Sequence, residues 1–234
     1  MVIPTLNEAQ GIKPTIKETR EALNNVEILV VDGNSIDETQ YISTHLGAKL
    51  ILQRGSGKGQ AIAQAISHLN EHTKYVVIID GDYTYPARYI PEMINILEKN
   101  PRVGMVTGDR FSPQKFSIHF KNVIFDPPFY FGNIFLKLAH WVLNGIRMKD
   151  PLSGLRVIRY DAIKEFRPKA RGFDIEVELN RYIKQIGAKT VELSIEYRQR
   201  MGKKKLRLKH GILIFARIMA MAVEDSLQYL KRIC

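Results

Sequence analysis

Residues 75–82 read Tyr-Val-Val-Ile-Ile-Asp-Gly-Asp, an apolar run that ends in two carboxylates, Asp80 and Asp82. An uninterrupted apolar run of this length is typical of a strand that is buried on both faces, as in parallel sheets. Two acidic side chains at the end of such a strand repel each other unless a positive charge lies between them, and hard divalent cations prefer oxygen ligands of this kind. The stretch therefore predicts a buried strand that ends at a metal site.

The first part of the chain alternates between strand-like and helical patterns. Apolar runs predict strands at 2–3, 27–31, 49–52, 75–79 and 103–107, and helical periodicity predicts helices at 12–23, 37–46, 59–69 and 88–99. Strands that alternate with helices indicate an α/β domain with a parallel sheet covered on both faces. Ligands of such sheets bind at the carboxyl ends of the strands. We therefore expect one crevice to collect the polar residues that follow the strands: Asn7, Glu8, Asp32, Asp80, Asp82, Asp109 and Arg110.

The pattern changes after residue 110. Two proline-containing loops precede further predicted elements, namely an apolar segment at 129–146, a helix at 175–186, a strand at 189–197, a basic run at 198–209 and a helix at 211–233. No Ser/Gly/Pro-rich linker divides the chain, so we expect a single domain over residues 1–234. Within it we distinguish a nucleotide-binding half at 1–110, a second half at 111–210 and a C-terminal amphipathic helix at 211–234.

The formal net charge of +11 implies an anionic partner, which is nucleic acid, a phosphate-bearing substrate or an acidic membrane surface. The dense basic run at 198–209 lacks interleaved aromatic residues and precedes an apolar segment at 211–223. Basic residues beside an apolar helix favour the membrane over nucleic acid, and no nucleic-acid partner is expected. The apolar segments at 129–146 and 211–223 are either buried core helices or interfacial membrane helices.

The N-terminus has neither a basic leader nor an apolar leader, and no stretch approaches the roughly 20 apolar residues that span a bilayer. The single cysteine, Cys234, rules out an intrachain disulfide, which favours a reducing compartment. These features predict exposure to the cytosol. We expect either a type that lies on the membrane or a chain from which transmembrane segments after Cys234 were removed.

Two glycine-containing motifs have competing interpretations. Gly55-Ser-Gly-Lys-Gly59 matches neither a Walker P-loop nor a dinucleotide fingerprint, but amides at a helix start beside Lys58 would suit a phosphate. The alternative is a flexible loop that enters the helix. Asp80-Gly81-Asp82 differs from the haloacid-dehalogenase motif because a glycine separates the aspartates and Tyr83 precedes Thr84. The six histidines show no metal-ligand spacing, and none is assigned a catalytic role.

Taken together, the motifs resemble those of family 2 glycosyltransferases with the GT-A fold, and among them the dolichyl- and polyprenyl-phosphate mannose or glucose synthases. The matching pieces cover the whole chain in the family's order: Val2-Ile-Pro-Thr-Leu-Asn-Glu8, Val30-Val-Asp32 with Ser35 and Asp37, Gly57-Lys-Gly59, Asp80-Gly-Asp82 with Tyr85-Pro86, Gly108-Asp-Arg110-Phe111, Asp150-Pro-Leu-Ser-Gly-Leu-Arg156, and Tyr197-Arg-Gln-Arg-Met-Gly-Lys-Lys-Lys-Leu206. The resemblance implies an α/β, mostly parallel GT-A sheet, in which residues 1–110 bind a nucleotide sugar and residues 111–210 form the acceptor side.

The resemblance also implies roles for individual residues. Asp80 and Asp82 would hold Mg²⁺ or Mn²⁺ against the donor diphosphate, and Asp82 and Arg110 would act at the reaction centre. Arg200 and Lys205 would come from a mobile loop that closes over the donor. The remaining donor-binding residues would be Pro4, Leu6, Glu8 and Asp32 around the base and ribose, Val30 beneath them, and Lys58, Gly81 and Thr84.

The implied activity is the inverting transfer of a hexose, with GDP-mannose favoured as donor, to dolichyl or polyprenyl phosphate at the cytosolic membrane face. Thr84 and Lys204 stand where the mannose-lipid synthases commonly carry Gln and Ser, and Asn133 and Lys137 are candidates to bind the acceptor phosphate. Three alternatives remain open: UDP-glucose as donor, a soluble glycan as acceptor, and a non-enzymatic basic protein that binds membranes or nucleic acid. Clustered carboxylates argue against the last because, without a cation, they would only repel one another.

Overall fold

The predicted strand at 75–79 forms the centre of a seven-stranded sheet with the order β3-β2-β1-β4-β6-β5-β7 in the computed structural model, which describes residues 1–111 and 127–233. The strands are β1 Val2–Thr5, β2 Leu29–Asp32, β3 Lys49–Leu52, β4 Tyr75–Ile78, β5 Val103–Asp109, β6 Arg156–Arg159 and β7 Lys189–Ser194. Six of these strands run in the same direction, which confirms the prediction of a mostly parallel sheet.

Strand β6 is the exception, and the sequence analysis did not predict it. It is antiparallel to β4, where Val76 pairs with Ile158, and antiparallel to β5, where Met105 pairs with the same residue. The motif 150–156 therefore leads directly into the middle of the sheet. This insertion places the loop before β6 next to the carboxyl end of β4.

The helices agree with the predicted ones to within a few residues at each end. They are α1 Ala9–Ala22, α2 Thr39–His45, α3 Lys58–Ile66, α4 Ile90–Lys99 after a 3₁₀ turn at Ala87–Tyr89, α5 Pro127–Asn144, α6 Tyr160–Ile163, α7 Ile175–Gln185 and α8 Leu208–Ile233. The short helix α6 was not predicted. One carboxylate, that of Asp37, accepts hydrogen bonds from the first amides of two helices, Thr39 in α2 (3.0 Å) and Ala9 in α1 (3.1 Å).

Each face of the sheet has its own apolar core, as a sheet covered on both faces requires. On one face, Ile12 and Ile16 of α1 and Met93 of α4 pack against strand residues such as Val77. On the other face, Ile62 of α3 and residues of α6 and α7 pack against the opposite side of the same strands. The strands are thus held rigidly, and the residues at their carboxyl ends are fixed in position.

Helices α5 and α8 form a third cluster on the outside of α7, built around Leu136, Val177 and Ile218. The predicted apolar segment at 129–146 is therefore core on only one side. Its other side exposes large apolar residues, as does α8: Phe131, Ile134, Phe135, Leu138, Trp141, Val142, Ile212, Leu213, Val223, Leu227 and Leu230. In the described residues, no helix is both long enough and apolar enough to cross a membrane.

Candidate active site

A cavity of about 1140 Å³ opens at the carboxyl ends of β1, β2 and β4. This is the edge at which the sequence predicted a crevice. Predicted donor-binding residues in its wall are Pro4, Leu6, Glu8, Lys58, Asp80, Gly81, Asp82, Arg200 and Lys205. The other four predicted residues are not part of this wall: Val30, Asp32, Thr84 and Arg110.

The turn Asp80-Gly81-Asp82 is tightly confined between β1 and α1. A Cβ atom on Gly81 would lie 2.9 Å from Cγ2 of Thr5, and a Cβ on Gly11 of α1 would lie 2.6 Å from Cα of Asp82. Both contacts are closer than side chains tolerate, so glycine is required at each position. Tyr83, directly after the turn, has a positive φ of 66°. The close packing fixes the direction in which both carboxylates point.

Asp82 is almost completely buried, with 5% of its surface exposed. Its Oδ1 accepts hydrogen bonds from the amide (3.1 Å) and the hydroxyl (2.6 Å) of Thr84, while Oδ2 pairs with Arg200 at 2.9 Å. Burial and the neighbouring Asp80 raise the pKa of Asp82, since both disfavour its charged form. Thr84 therefore contacts the carboxylate of Asp82 and orients it.

Asp80 is held by Lys58, which bridges two carboxylates. The Lys58 ammonium lies 2.6 Å from Oδ1 of Asp80 and 2.7 Å from Oε1 of Glu176 at the start of α7. Burial opposes a charged lysine, but the two carboxylates raise the pKa of Lys58 above its ordinary value. Glu176 was not among the predicted site residues, because its only link to the site is this contact between distant helices.

One expectation about the loop before α3 is wrong. The amides at the start of α3 were expected to suit a phosphate, but those of Gly59 and Gln60 both donate to the carbonyl oxygen of Arg171, at 2.9 and 3.3 Å. The approach is so close that a Cβ on Gly59 would lie 2.2 Å from the carbonyl oxygen of Ala170. The start of α3 is thus packed against another part of the chain, and Lys58 is the charged side chain that this segment brings to the cavity wall.

The basic loop, residues 198–207, lies across the cavity. Its backbone is tied to the turn after β4, since the amide of Met201 donates to the carbonyl of Asp82 (3.0 Å) and that of Arg198 to the carbonyl of Thr84 (2.9 Å). Arg200 reaches Glu8 as well as Asp82, and the Lys205 ammonium lies 2.5 Å from Oε1 of Glu8.

Glu8 has 7% of its surface exposed, and burial raises its pKa although Lys205 and Arg200 oppose this change. Within the described residues, Oε2 of Glu8 and Nε of Arg200 are buried and have no hydrogen-bond partner. A buried polar atom without a partner costs free energy unless a ligand satisfies it. Both atoms belong to residues that line the cavity, so they favour a polar ligand in this place.

Asp32 and Val30 lie in the sheet beneath the cavity, and both are fully buried. The carboxylate of Asp32 accepts hydrogen bonds from Thr5 (2.9 Å), from Gln40 (2.9 Å) and from the amide and hydroxyl of Ser35 (2.7 and 2.6 Å). These donors shape the loop between β2 and α2. The predicted contact of Asp32 with the nucleotide remains a prediction.

Arg110 forms a bidentate ion pair with Asp150, at 2.6 and 2.8 Å, and lies 5.2 Å from the ring centroid of Tyr197. Burial opposes its charge, but Asp150 holds the pKa of Arg110 well above the ordinary value. Of the two candidates for the acceptor phosphate, Lys137 is exposed on α5, and neither Lys137 nor Asn133 lines the cavity. Residues 112–126, which belong to the predicted acceptor side, lie outside the described residues.

A sequence profile of the family described as Glycosyl transferase family 2 matches residues 1–167. The chain is 31% identical to the protein named Glycosyltransferase AglJ of Haloferax volcanii over 84% of its own length, and it spans 62% of that relative. It is 28% identical to the Dolichyl-phosphate hexose transferase of the same organism, over 97% of this chain and 95% of that protein.

Among solved structures, glucosyl-3-phosphoglycerate synthase of Mycobacterium tuberculosis, in complex with Mn²⁺, UDP and phosphoglyceric acid, has a TM-score of 0.70. It is 18% identical and covers 94% of this chain and 77% of its own, so the likeness is one of fold. The sheet topology and this likeness together show a GT-A-like fold. The chain belongs to glycosyl transferase family 2. The predictions of the fold and of a glycosyltransferase are confirmed.

The residues present fit the divalent metal that these neighbours carry, which is Mn²⁺ in one complex and Mg²⁺ in another. No group of three or more metal-ligating side chains occurs in the described parts of the chain. Asp80 and Asp82 reach the cavity at the end of β4, separated by one residue. Mg²⁺ typically binds through one or two carboxylates and takes its other ligands from water and substrate phosphates. A pair of aspartates beside a cavity is the donor set that such binding requires.

Proposed function

We propose that the protein transfers a hexose from a nucleotide sugar to dolichyl or polyprenyl phosphate at the cytosolic face of a membrane. GDP-mannose is the favoured donor and UDP-glucose the alternative. The observation that carries the proposal is the convergence, in one cavity, of Asp80 and Asp82 with the cations of the basic loop. The similarity to a dolichyl-phosphate hexose transferase, which extends over nearly the full length of both chains, supports the choice of acceptor.

The donor half of the reaction requires charge neutralisation at the leaving diphosphate. Asp80 and Asp82 would hold the metal ion, which supplies Lewis-acid stabilisation of the diphosphate as its bond to the anomeric carbon breaks. Arg200 and Lys205 are charged, lie in the cavity wall, and come from a loop that covers the cavity. Guanidinium and ammonium groups bind phosphate oxygens, so both residues suit the diphosphate.

The acceptor half of the reaction needs no general base. A lipid phosphate is anionic at neutral pH, so one of its oxygens can attack the anomeric carbon directly while the nucleoside diphosphate leaves from the opposite side. This displacement inverts the anomeric centre. Among the described residues, the cavity wall contains His210, whose Nδ1 accepts the amide of Arg207 (2.8 Å). That hydrogen bond uses the basic lone pair of the ring, so His210 is not placed to remove a proton.

The lipid acceptor also gives a role to the exposed faces of α5 and α8. Apolar residues such as Trp141 and Ile212 are exposed there, 47% and 71% respectively, and the basic loop leads directly into α8. Apolar side chains next to lysines and arginines are typical of helices that lie in the interface of an anionic membrane. In that position the cavity would be close to the phosphate of a membrane-embedded lipid.

The proposal is tested by sugar transfer in the presence of lipid. The protein is incubated with Mn²⁺, polyprenyl phosphate in anionic vesicles, and either GDP-mannose or UDP-glucose, and the sugar that becomes extractable with lipid is measured. We expect product from one donor and a loss of at least 100-fold in Asp82→Asn. Asp161→Asn changes an exposed aspartate outside the cavity and is the matched control.

Four results would contradict the proposal. No product from either donor, or equal product from Asp82→Asn and the wild type, would exclude the donor mechanism. Equal transfer to a soluble glycan without vesicles would exclude the lipid acceptor. Salt-dependent binding to nucleic acid without turnover of either donor would instead support a non-enzymatic basic protein.

A further inference from the structure

Glu176 lies outside the cavity wall, yet it shares Lys58 with Asp80. We propose that Glu176 is a positioning residue for the donor's metal ion, which acts through Lys58 to keep Asp80 available as a ligand. The inference rests on the proposed function, because it concerns the same metal and donor. It adds a residue from α7, on the far side of Lys58, to a site built from the strand ends, the start of α3 and the basic loop.

The geometry of the bridge is specific. An ammonium group has three donors and no acceptor, and Lys58 directs two of them at carboxylate oxygens, of Asp80 at 2.6 Å and of Glu176 at 2.7 Å. The side chains of Lys58 and Glu176 are 9% and 7% exposed, whereas that of Asp80 is 29% exposed. The bridge therefore has a buried end at Glu176 and an accessible end at Asp80.

The burial of the Glu176 carboxylate is compensated by its ion pair with Lys58. A buried carboxylate is costly unless it is paired, and Oε2 of Glu176 has no hydrogen-bond partner among the described residues. Burial raises the pKa of Glu176, while Lys58 and, less strongly, Arg156 favour its charged form. The guanidinium of Arg156 is used by Asn180 (2.6 Å) and the carbonyls of Ser153 and Pro151. The ion pair with Lys58 is thus the direct contact that the Glu176 carboxylate makes.

The charges explain why this contact matters for a metal ion. Lys58 alone beside Asp80 would cancel the charge of that carboxylate and would repel a divalent cation bound to it. With Glu176 present, the side chains of Lys58, Asp80 and Glu176 carry a net charge of −1. Glu176 balances the charge of Lys58, so Asp80 retains an effective negative charge. Lys58 also holds Oδ1 of Asp80, so among the described residues Oδ2, which lies beside Gly154, is the oxygen left to bind a cation.

The test measures Mn²⁺ binding separately from turnover. The variant Glu176→Gln keeps the shape and one acceptor but removes the charge. Free Mn²⁺ is titrated by electron paramagnetic resonance with UDP or GDP present, and sugar transfer is measured at several Mn²⁺ concentrations. We expect Mn²⁺ affinity to fall roughly 10- to 100-fold, as for other groups that orient metal ligands, while kcat at saturating Mn²⁺ changes less than threefold.

Two further variants isolate the route through Lys58. Adding Lys58→Met to Glu176→Gln removes the uncompensated ammonium, so the double variant should bind Mn²⁺ more tightly than Glu176→Gln alone. Glu165→Gln removes an exposed carboxylate that contacts Arg167, and it should behave as the wild type. If Glu176→Gln does not fold, Glu176→Asp, which keeps the charge but withdraws it by one methylene, is measured instead and should weaken Mn²⁺ binding by a smaller factor.

Wild-type Mn²⁺ affinity in Glu176→Gln, or a loss of kcat that saturating Mn²⁺ does not restore, would overturn the inference. Tighter binding in Glu176→Gln than in the double variant would overturn the route through Lys58. The two proposals fail separately. If the wild type binds Mn²⁺ but transfers no sugar, the proposed function fails while the effect of Glu176 on Mn²⁺ binding can still be observed.

Discussion

Acidification should weaken the packing of α5 against α8, because it protonates one buried imidazole, that of His140. His140 is fully buried in α5, where its Nδ1 lies 2.9 Å from Oδ1 of Asn144, and Nδ2 of Asn144 donates to the carbonyl of Ile218 in α8 at 3.1 Å. The pKa of His140 is lowered from 6.5 to about 4, chiefly by burial and also by the positive charges of Arg156 and Lys184, although the hydrogen bond with Asn144 opposes this change. The native protein therefore holds this histidine neutral.

The direction in which pH changes the free energy of unfolding follows from the number of protons that the native and unfolded states bind. Below pH 6.5 the unfolded chain protonates His140 while the native protein does not, until the pH reaches about 4. Stability is therefore fully present above pH 6.5 and is lost as the pH falls toward the folded-state pKa. At about 1.4 kcal/mol per pH unit, the loss from this residue is about 2 kcal/mol at pH 5 and about 3 kcal/mol at pH 4.

The assay is urea unfolding at pH 7 and pH 5, followed by circular dichroism, for the wild type and His140→Leu. The leucine variant has a different stability at both pH values but lacks the titrating group, so only the pH-dependent difference is compared. We expect the wild type to lose about 2 kcal/mol more than the variant between the two pH values. An equal loss in both proteins would refute the argument, since other titrating residues are common to the two.

Two further predictions concern Asp80 and the exposed apolar face. In Gly154→Ala, the new Cβ would lie 2.2 Å from Oδ2 of Asp80, so the carboxylate must turn away. We expect the rate of sugar transfer to fall about 100-fold with little change in melting temperature. The control is Gly211→Ala, whose Cβ would meet nothing within 4 Å and which should be unaffected. Equal activity of the two variants would contradict this placement of Asp80. Trp141→Ser on α5 should weaken binding to anionic vesicles about tenfold in a sedimentation assay. Sugar transfer to a soluble short-chain phosphate should not change. Unaltered vesicle binding would exclude this face as the membrane contact.

The sequence predicted the elements whose signal is local. The apolar run 75–79 identifies β4 without reference to the rest of the chain, and Asp80 and Asp82 follow it directly, so their position at the edge of the sheet could be predicted. Strand β6 has no such signal. Its four residues begin and end with Arg156 and Arg159, and its place in the sheet depends on pairing with β4 and β5, which lie far from it in sequence.

The site residues also differ in whether a local sequence pattern or a contact between distant segments places them. The contact of Glu176 with Lys58 joins two helices on one face of the sheet, and a single sequence does not indicate which helices meet. The start of α3 gave a wrong expectation for a related reason. An amide at a helix start is open to an anion only if no other part of the chain reaches it, and here the carbonyl of Arg171 does.

The charges in the cavity set the order of events that the proposed reaction requires. Arg200 pairs with Oδ2 of Asp82, the oxygen that a divalent cation would also bind, and Arg200 and Lys205 both pair with Glu8. A divalent cation bound to that oxygen would repel the guanidinium, so metal binding would favour the release of Arg200 from Asp82. A metal ion that arrives with a diphosphate brings a new anionic partner for the displaced guanidinium, whereas a metal ion alone does not. Donor and metal should therefore bind cooperatively, and the basic loop would exchange its contacts with the carboxylates for contacts with the diphosphate.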